Sequence, residues 1–143
     1  MKYVCLCYTE EAKYEHMPEA ELEALLADQV SYDATLRSNG TVVVSEALES
    51  VRLATTVRIR GGKLAVTDGP FAETKEQLGG FFLIEAEDLD EAIRIASGFP
   101  SLRAGTIEIR PVWDIRQHVR AQRIRHAPSP EEGNGVAQRP AAR

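Results

Sequence analysis

Short stretches in which hydrophobic and polar residues alternate, or in which β-branched residues cluster, predict the strands of this chain. Two alternating stretches, 54–60 and 63–67, are separated only by Gly61-Gly62, which is typical of a tight β-hairpin. Four further strands are predicted, in chain order, at residues 2–8, 41–45, 81–86 and 106–112.

Two segments with a helical period lie between these strands. The first begins at Pro18, where the glutamates of the first turn suit the positive end of a helix, and it stops at Asn39-Gly40. The second begins at Asp88, which is followed three residues later by a glutamate in the pattern of a helix cap. Residues 9–17 are polar and predict a loop.

The resulting order is strand, helix, strand, hairpin, strand, helix, strand. Helices on one face of an antiparallel sheet are the expected packing, which gives an α+β fold of the ferredoxin-like, split βαβ type with an extra hairpin. The face of the sheet opposite the helices is apolar and would form an exposed patch in a monomer. A homodimer paired through these sheet faces is therefore expected. We expect that outer face to carry Cys5, Cys7, either Phe81 or Phe82, and either Leu83 or Ile84.

The net charge changes sign towards the C-terminus. Residues 1–115 carry −9 and residues 116–143 carry +4, which gives the 143-residue chain −5. An acidic body argues against a nucleic-acid-binding surface on residues 1–115. We expect one domain over 1–115 and a basic C-terminal tail over 116–143. The tail begins with a segment suited to a short basic helix, and its composition over 127–143 predicts disorder.

Composition and cysteine spacing argue against a membrane protein, a secreted protein and a metalloprotein. The hydrophobic fraction of 43% is ordinary for a globular protein. No apolar run approaches the ~20 residues of a membrane span, and the N-terminus lacks the pattern of a secretory leader. Cys5 and Cys7 point to the same side of a strand, which suits neither a mutual disulfide nor, without further ligands, a metal site. We expect a cytoplasmic protein with no metal, no cofactor and no membrane contact.

The segment from Thr67 to Phe81 reads TDGPFAETKEQLGGF. Its Asp-Gly-Pro-Phe core and the residues that follow resemble the signature of the DGPF branch of the YCII-related proteins nearly residue for residue. The resemblance extends over about residues 1–113. It includes a Lys-Tyr-Val-Cys-Leu start, a Thr-Thr-Val-Arg strand, an Asp-Leu-Asp-Glu-Ala helix start and an Ile-Glu-Ile-Arg-Pro-Val ending.

The resemblance implies a ferredoxin-like fold that dimerises through its sheets into an α+β barrel, with a cleft between sheet and helices. Some relatives are enzymes that act on small organic molecules, with a His–Asp pair proposed in the cleft, whereas most DGPF members have no assigned reaction. Several are encoded beside extracytoplasmic-function sigma factors. The family aspartate corresponds to Asp68. The position of the family histidine falls on Asp28 or Gln29, so this chain departs from the family there.

Asp68 and His16 are the candidate catalytic residues. Asp68 is expected to act as an acid, base or ligand acceptor in the cleft, and a base working near pH 7 would need a pKa well above ~3.9. The alternative is an Asp-Gly turn in which the carboxylate binds nearby backbone amides. His16 can replace the missing helix histidine because histidine is the residue type suited to proton transfer near neutral pH, and a surface or capping role is its alternative.

Gln29 and Asp33 fall in the middle of the apolar face of the first helix. Because uncompensated burial of such groups is costly, each needs a partner or water. They either line the cleft together with Asp68 as ligand-binding residues or reach solvent at a sheet edge.

Five further residues complete the predicted ligand-binding set: Gly69, Pro70 and Phe71 of the turn, Lys75 after it, and Arg110 on the last strand. Gly69 is needed if its φ is positive, and Pro70 favours an extended conformation in the residue before it. For Lys75 the alternative is a solvated charged loop, and for Arg110 it is a surface ion pair.

Two functions from different classes follow. The first is the binding of a small polar organic molecule in a cleft beside Asp68, with acid–base catalysis as an extension. The second is a non-catalytic interaction module that contacts a regulatory protein partner in sigma-factor-linked transcription regulation. A polar cleft at Asp68 favours the first function, and a closed, apolar-filled cleft favours the second.

Overall fold

The computed structural model describes residues 1–125. One compact unit is formed by Met1–Val112, and a second begins at Trp113. The strands of the first unit are β1 (Lys2–Thr9), β2 (Val42–Ala47), β3 (Thr55–Arg60), β4 (Lys63–Asp68), β5 (Gln77–Glu85) and β6 (Gly105–Pro111). The α-helices are α1 (Glu11–Glu15), α2 (Glu19–Ser38) and α3 (Leu89–Ser97) in the first unit and α4 (Ile115–Arg125) in the second.

Four strands form the main sheet in the order β2-β5-β1-β6, and every neighbouring pair is antiparallel. β5 lies between β1 and β2, and β1 lies between β5 and β6, so each strand–helix–strand connection passes over one intervening strand. This is the split βαβ arrangement of ferredoxin-like folds. The predicted α+β, ferredoxin-like class is confirmed.

The predicted extra hairpin is a separate two-stranded sheet of β3 and β4. Gly61 and Gly62 join the strands with φ values of +56° and +76°, which residues other than glycine rarely adopt. Alternation along both strands collects four apolar side chains on one face, and these are 61% to 70% exposed. They are Val57, Ile59, Leu64 and Val66. We call them the hairpin ladder.

Both predicted long helices are confirmed, with their start and stop signals. α2 begins directly after Pro18 and ends at Ser38, and Gly40 follows with a φ of +78°. The carboxylate of Asp88 accepts a hydrogen bond from the backbone N–H of Glu91 at 2.9 Å and caps α3.

The loop predicted over residues 9–17 is wrong in part, because α1 forms there. Glu11 fixes this short helix through long-range contacts: its backbone N–H donates to Gln77 Oε1 at 3.0 Å, and its carboxylate accepts from Ser50 Oγ and from the backbone N–H of Val51, both at 2.9 Å. Such contacts with distant segments leave no trace in the local hydrophobic pattern.

The core lies between the main sheet and the helices α2 and α3. Cys5, Cys7, Phe82 and Ile84 point towards the helices and are at most 8% exposed, and Phe82 stacks on Phe99 with ring centroids 3.9 Å apart. The prediction that both cysteines face away from the helices is therefore wrong. Both sets of alternating residues in β1 and β5 are apolar, so the sequence pattern did not distinguish the two faces. The outer face carries the half-buried side chains of Val4, Leu6, Phe81 and Leu83.

In the second unit, α4 begins after Asp114, whose carboxylate accepts a hydrogen bond from the backbone N–H of Gln117 at 2.9 Å. The helix is exposed and rich in arginine, as predicted for a short basic helix. The disorder predicted for 127–143 lies outside the described residues. Over residues 1–125, no helix has the length and apolar character needed to cross a membrane.

Candidate functional site

A cavity of about 640 Å³ opens between α2 and the main sheet. This volume falls in the range of roughly 300–1,000 Å³ that is usual for small-molecule sites. Its walls combine polar groups with a mainly apolar surface. The apolar lining comes from Leu22, Leu26, Val30, Ala47, Leu48 and Phe82.

One wall is an ionic network that joins α2 to β2. Asp33 Oδ1 accepts a hydrogen bond from Ser45 Oγ at 2.5 Å, and Asp33 Oδ2 accepts one from Arg37 Nε at 2.7 Å. Arg37 Nη2 also donates to Ser45 Oγ at 2.6 Å. Burial acts to raise the pKa of Asp33, but the hydrogen bonds from Ser45 and Arg37 and the charge of Arg37 outweigh it, so that the pKa is lowered.

A second wall joins α2 to the short 3₁₀ helix Pro100–Arg103. Gln29 Oε1 accepts a hydrogen bond from the backbone N–H of Ser101 at 3.0 Å. Cys7 lies beside the Ser101 hydroxyl, and burial raises the pKa of its thiol, although the contact with Ser101 acts to lower it. Gln29, Ser101 and Cys7 all line the cavity.

Two glycines of β5, Gly79 and Gly80, form part of the cavity lining. A Cβ atom on Gly80 would lie only 2.8 Å from the backbone oxygen of Glu46 on β2. Glycine at this position therefore permits the close approach of β2 to β5, and this approach positions Ser45 opposite Asp33.

The structure brings together two of the predicted site residues, Gln29 and Asp33, at this cavity. Asp68 does not line it. Asp68 ends β4 on the hairpin, where it is exposed and pairs with Thr55 in the ladder of strands. His16 does not line it either. It lies at the C-terminal end of α1, where its Nδ1 is 2.7 Å from the backbone oxygen of Ala12.

The turn residues lie on the hairpin. Gly69 has a φ of +97°, its N–H donates to the oxygen of Ala54 at 2.7 Å, and its own oxygen accepts from Thr56 Oγ1 at 2.8 Å. Pro70 and Phe71 line a separate small cavity of about 200 Å³ beside the hairpin.

Neither Lys75 nor Arg110 is among the lining residues of the large cavity. Lys75 is exposed, and the Nε of Arg110 lies 3.9 Å from Glu108 Oε1 on the outer side of β6. A single cleft that unites the whole predicted set is therefore not formed. Asp68 and its turn belong to a different sheet from the one under α2.

Four further residues line the cavity although the sequence did not predict them there: Ser45, Ser101, Cys7 and Glu11. Of these, only Cys7 lies in a strand with a local alternating pattern, and that pattern was interpreted as placing Cys7 on the outer face of the sheet. Ser101 meets Gln29 across 72 positions of the chain, a contact that no local pattern predicts. No group of three or more histidine, cysteine, aspartate or glutamate side chains within residues 1–125 is arranged to hold a metal ion.

Comparison with known proteins gives the family. An uncharacterized protein of Rhizobium meliloti (strain 1021) is 35% identical over 114 residues, which are 78% of this chain and 92% of that protein. The solved structure of 5-chloro-2-hydroxyhydroquinone dehydrochlorinase from Burkholderia phenoliruptrix AC1100, in complex with 2,5-dihydroxybenzoquinone, is 14% identical. The two structures superpose with a TM-score of 0.48 over 79% of this chain and 94% of the dehydrochlorinase chain. The model of the YCII-related domain matches residues 1–116, most of the chain, and the chain therefore belongs to the YCII-related family.

Proposed function

We propose that this protein is a DGPF-type YCII-related protein that binds a small organic molecule with a polar group in the cavity beneath α2. The observation that carries the proposal is the cavity of about 640 Å³ lined by Gln29 and Asp33. An apolar surface with a few fixed polar groups is the usual composition of a small-molecule site.

Binding is better supported than acid–base catalysis. The lowered pKa of Asp33 keeps it ionised, and both of its oxygens already accept hydrogen bonds. It is therefore a poor proton carrier near neutral pH. Asp68 and His16, the candidate catalytic residues, do not line the cavity.

We also propose a homodimer paired through the outer face of the main sheet, which gives a dimeric α+β barrel. The half-buried side chains of Val4, Leu6, Phe81 and Leu83 form an apolar strip across the neighbouring strands β1 and β5. Pairing two such strips across a two-fold axis removes both from water.

A second candidate function is that of an interaction module for a regulatory protein. The hairpin ladder favours it, because its four apolar side chains are 61% to 70% exposed. An exposed apolar face of this kind is typical of a protein-binding surface. Substitution of Ile59 by lysine would abolish binding of such a partner and leave small-molecule binding intact.

A thermal-shift screen of small organic molecules tests the first function, with two tryptophan variants of α2. Val30→Trp places a large side chain at the cavity lining, and Ala27→Trp is the matched control on an exposed, non-lining position of the same helix. A ligand at 100 times its Kd adds about 2.7 kcal/mol to the unfolding free energy. We expect such stabilisation in the wild type and in Ala27→Trp but not in Val30→Trp. A screen without hits, or hits that stabilise Val30→Trp equally, would contradict the proposal.

A further inference from the structure

The carboxamide of Gln29 has a fixed orientation. The backbone N–H of Ser101 lies at the start of a 3₁₀ helix and needs an acceptor, and Gln29 Oε1 supplies it at 3.0 Å. This bond identifies Oε1 and therefore Nε2. Nε2 has two N–H donors and no acceptor among residues 1–125.

A second donor without a partner belongs to Ser101, the residue whose N–H binds Gln29 Oε1. The Ser101 hydroxyl is buried and has no hydrogen-bond partner within residues 1–125. Its polar neighbour is the Cys7 thiol, and sulfur is a weak acceptor. Buried polar side chains nearly always have a partner, so this hydroxyl adds a second donor that the described residues leave unsatisfied in the same wall.

The charges of the lining select the kind of acceptor. Four carboxylates, those of Glu11, Glu15, Asp33 and Glu46, line the cavity, and Arg37 is the one lining cation among the described residues. Asp33 already engages Arg37, so this cation is not available to an anionic ligand. Glu15 is paired with Arg52 and Glu46 is exposed, so the repulsion of an anion comes mainly from Asp33 and Glu11. Since no lining cation among the described residues is free to offset it, a ligand carboxylate or phosphate is disfavoured. The remaining acceptors are uncharged oxygens.

We propose that Gln29 Nε2, in the wall that also holds the Ser101 hydroxyl, binds a carbonyl or hydroxyl oxygen of an uncharged, largely apolar ligand. The inference rests on the proposed function and names the ligand class of that site. The hydrocarbon part of the ligand contacts Leu22, Leu26 and Phe82, and its oxygen faces the Gln29–Ser101 wall.

Three probes with the same bicyclic skeleton test this inference by calorimetry: 1-indanone, indane and indane-1-carboxylate. We expect 1-indanone to bind roughly three- to tenfold more tightly than indane, as one or two neutral hydrogen bonds allow. The carboxylate should bind more weakly than both. Equal binding of ketone and hydrocarbon, or preferred binding of the carboxylate, would overturn the inference but leave the proposed function standing. Binding of none of the three would count against both.

Two variants assign the effect to the named groups. Gln29→Glu keeps an acceptor for the Ser101 N–H but removes both side-chain donors, and Ser101→Ala removes only the hydroxyl. We expect the ratio of ketone to hydrocarbon affinity to fall to about one in Gln29→Glu and to fall by about twofold in Ser101→Ala. Ser38→Ala, on α2 but outside the lining, is the control and should keep the wild-type ratio. A ratio unchanged in both test variants would overturn the assignment.

Discussion

At the scale of single residues, the polar wall of the cavity is held by a few strong contacts. Ser45 and Arg37 donate three hydrogen bonds within the network around Asp33, at 2.5 to 2.7 Å. A charge-assisted network that is partly buried stabilises more than an isolated surface pair, although exposure of Arg37 to solvent screens part of its contribution. Asp33 is therefore a structural anion at the cavity rather than a proton donor.

The pH dependence of stability tests this assignment of Asp33. Because its folded-state pKa is lowered, its contribution to stability is present above the unfolded pKa and is lost as the pH falls through the folded value, which lies below 3.8. We expect urea unfolding from pH 6 to pH 3 to show the wild type losing more unfolding free energy than Asp33→Asn. A constant difference between the two proteins over this range would show that Asp33 is not stabilised as an anion.

Asp68 and Gly69 separate a turn from a site at adjacent positions. From the sequence we predict that Asp68→Asn abolishes ligand binding, whereas the position of Asp68 outside the cavity predicts unchanged binding, with less than ~1 kcal/mol of lost stability. Gly69→Ala forces a side chain into a φ of +97° and should cost about 1 kcal/mol or more, although no atom lies within 4 Å of the added Cβ. Chemical unfolding measures both changes. Loss of binding in Asp68→Asn at full stability would restore the aspartate to the site.

At the scale of elements, the cavity depends on how α2 and β5 are placed. α2 presents Gln29 and Asp33 towards the sheet, one helical turn apart, and each is held by a partner on a different element. The two glycines in β5 keep the sheet side open and let β2 approach. α1 places the Glu11 carboxylate at the cavity lining.

The cap of α3 provides a test of local helix signals. Asp88→Ala removes the acceptor of the Glu91 N–H and should lower the unfolding free energy by about 1 kcal/mol. Asp90→Ala, an exposed change in the first turn of the same helix, is the control and should cost less. Urea unfolding of both variants measures the difference. Equal losses would mean that the charge near the helix start matters and the cap hydrogen bond does not.

At the scale of the whole molecule, two apolar surfaces have no partner within the unit Met1–Val112. One is the outer strip of the main sheet with Leu6 and Phe81 at its centre, and the other is the hairpin ladder. A two-stranded hairpin is marginally stable alone, so the partner contact proposed for its exposed apolar face would also stabilise the hairpin.

Light scattering at micromolar concentration should report about twice the 15.8 kDa chain mass. Leu6→Glu places a charge in the outer strip and should yield the monomer, because burial of an unpaired charge at an interface is costly. Leu53→Glu is the control, since Leu53 is 72% exposed and lies outside the sheets. A monomeric wild type would contradict the proposed barrel.

Deletion of residues 127–143 tests the predicted division into domain and tail. Their composition shows no apolar periodicity with which to offset the entropy of ordering. We expect the melting temperature of the shortened chain to stay within about two degrees of the wild-type value. A loss of several degrees would show that the tail docks on folded protein.

The sequence by itself determined the six strands, the helices α2 and α3, and their order, but not the short helix α1. Pro18, Asp88 and Gly61-Gly62 act through their own backbone geometry and short-range hydrogen bonds, so the helix starts and the hairpin could be predicted. Strand order followed because few arrangements join such elements without crossing. The signature around Asp68 indicated the family, but it said nothing about which side chains meet.

Only the tertiary structure decided the site. Its polar walls join residues from separate elements: Gln29 meets Ser101, and Asp33 meets Ser45. Asp68 was predicted to lie in the same cleft, but its hairpin forms a separate sheet. Because both faces of β1 are apolar, the sequence did not decide which face points into the core. The packing of Phe99 on Phe82 shows which face of the sheet is inside. Local propensity acts over a few residues, whereas a cavity is the space left between elements, and its shape exists only once they pack.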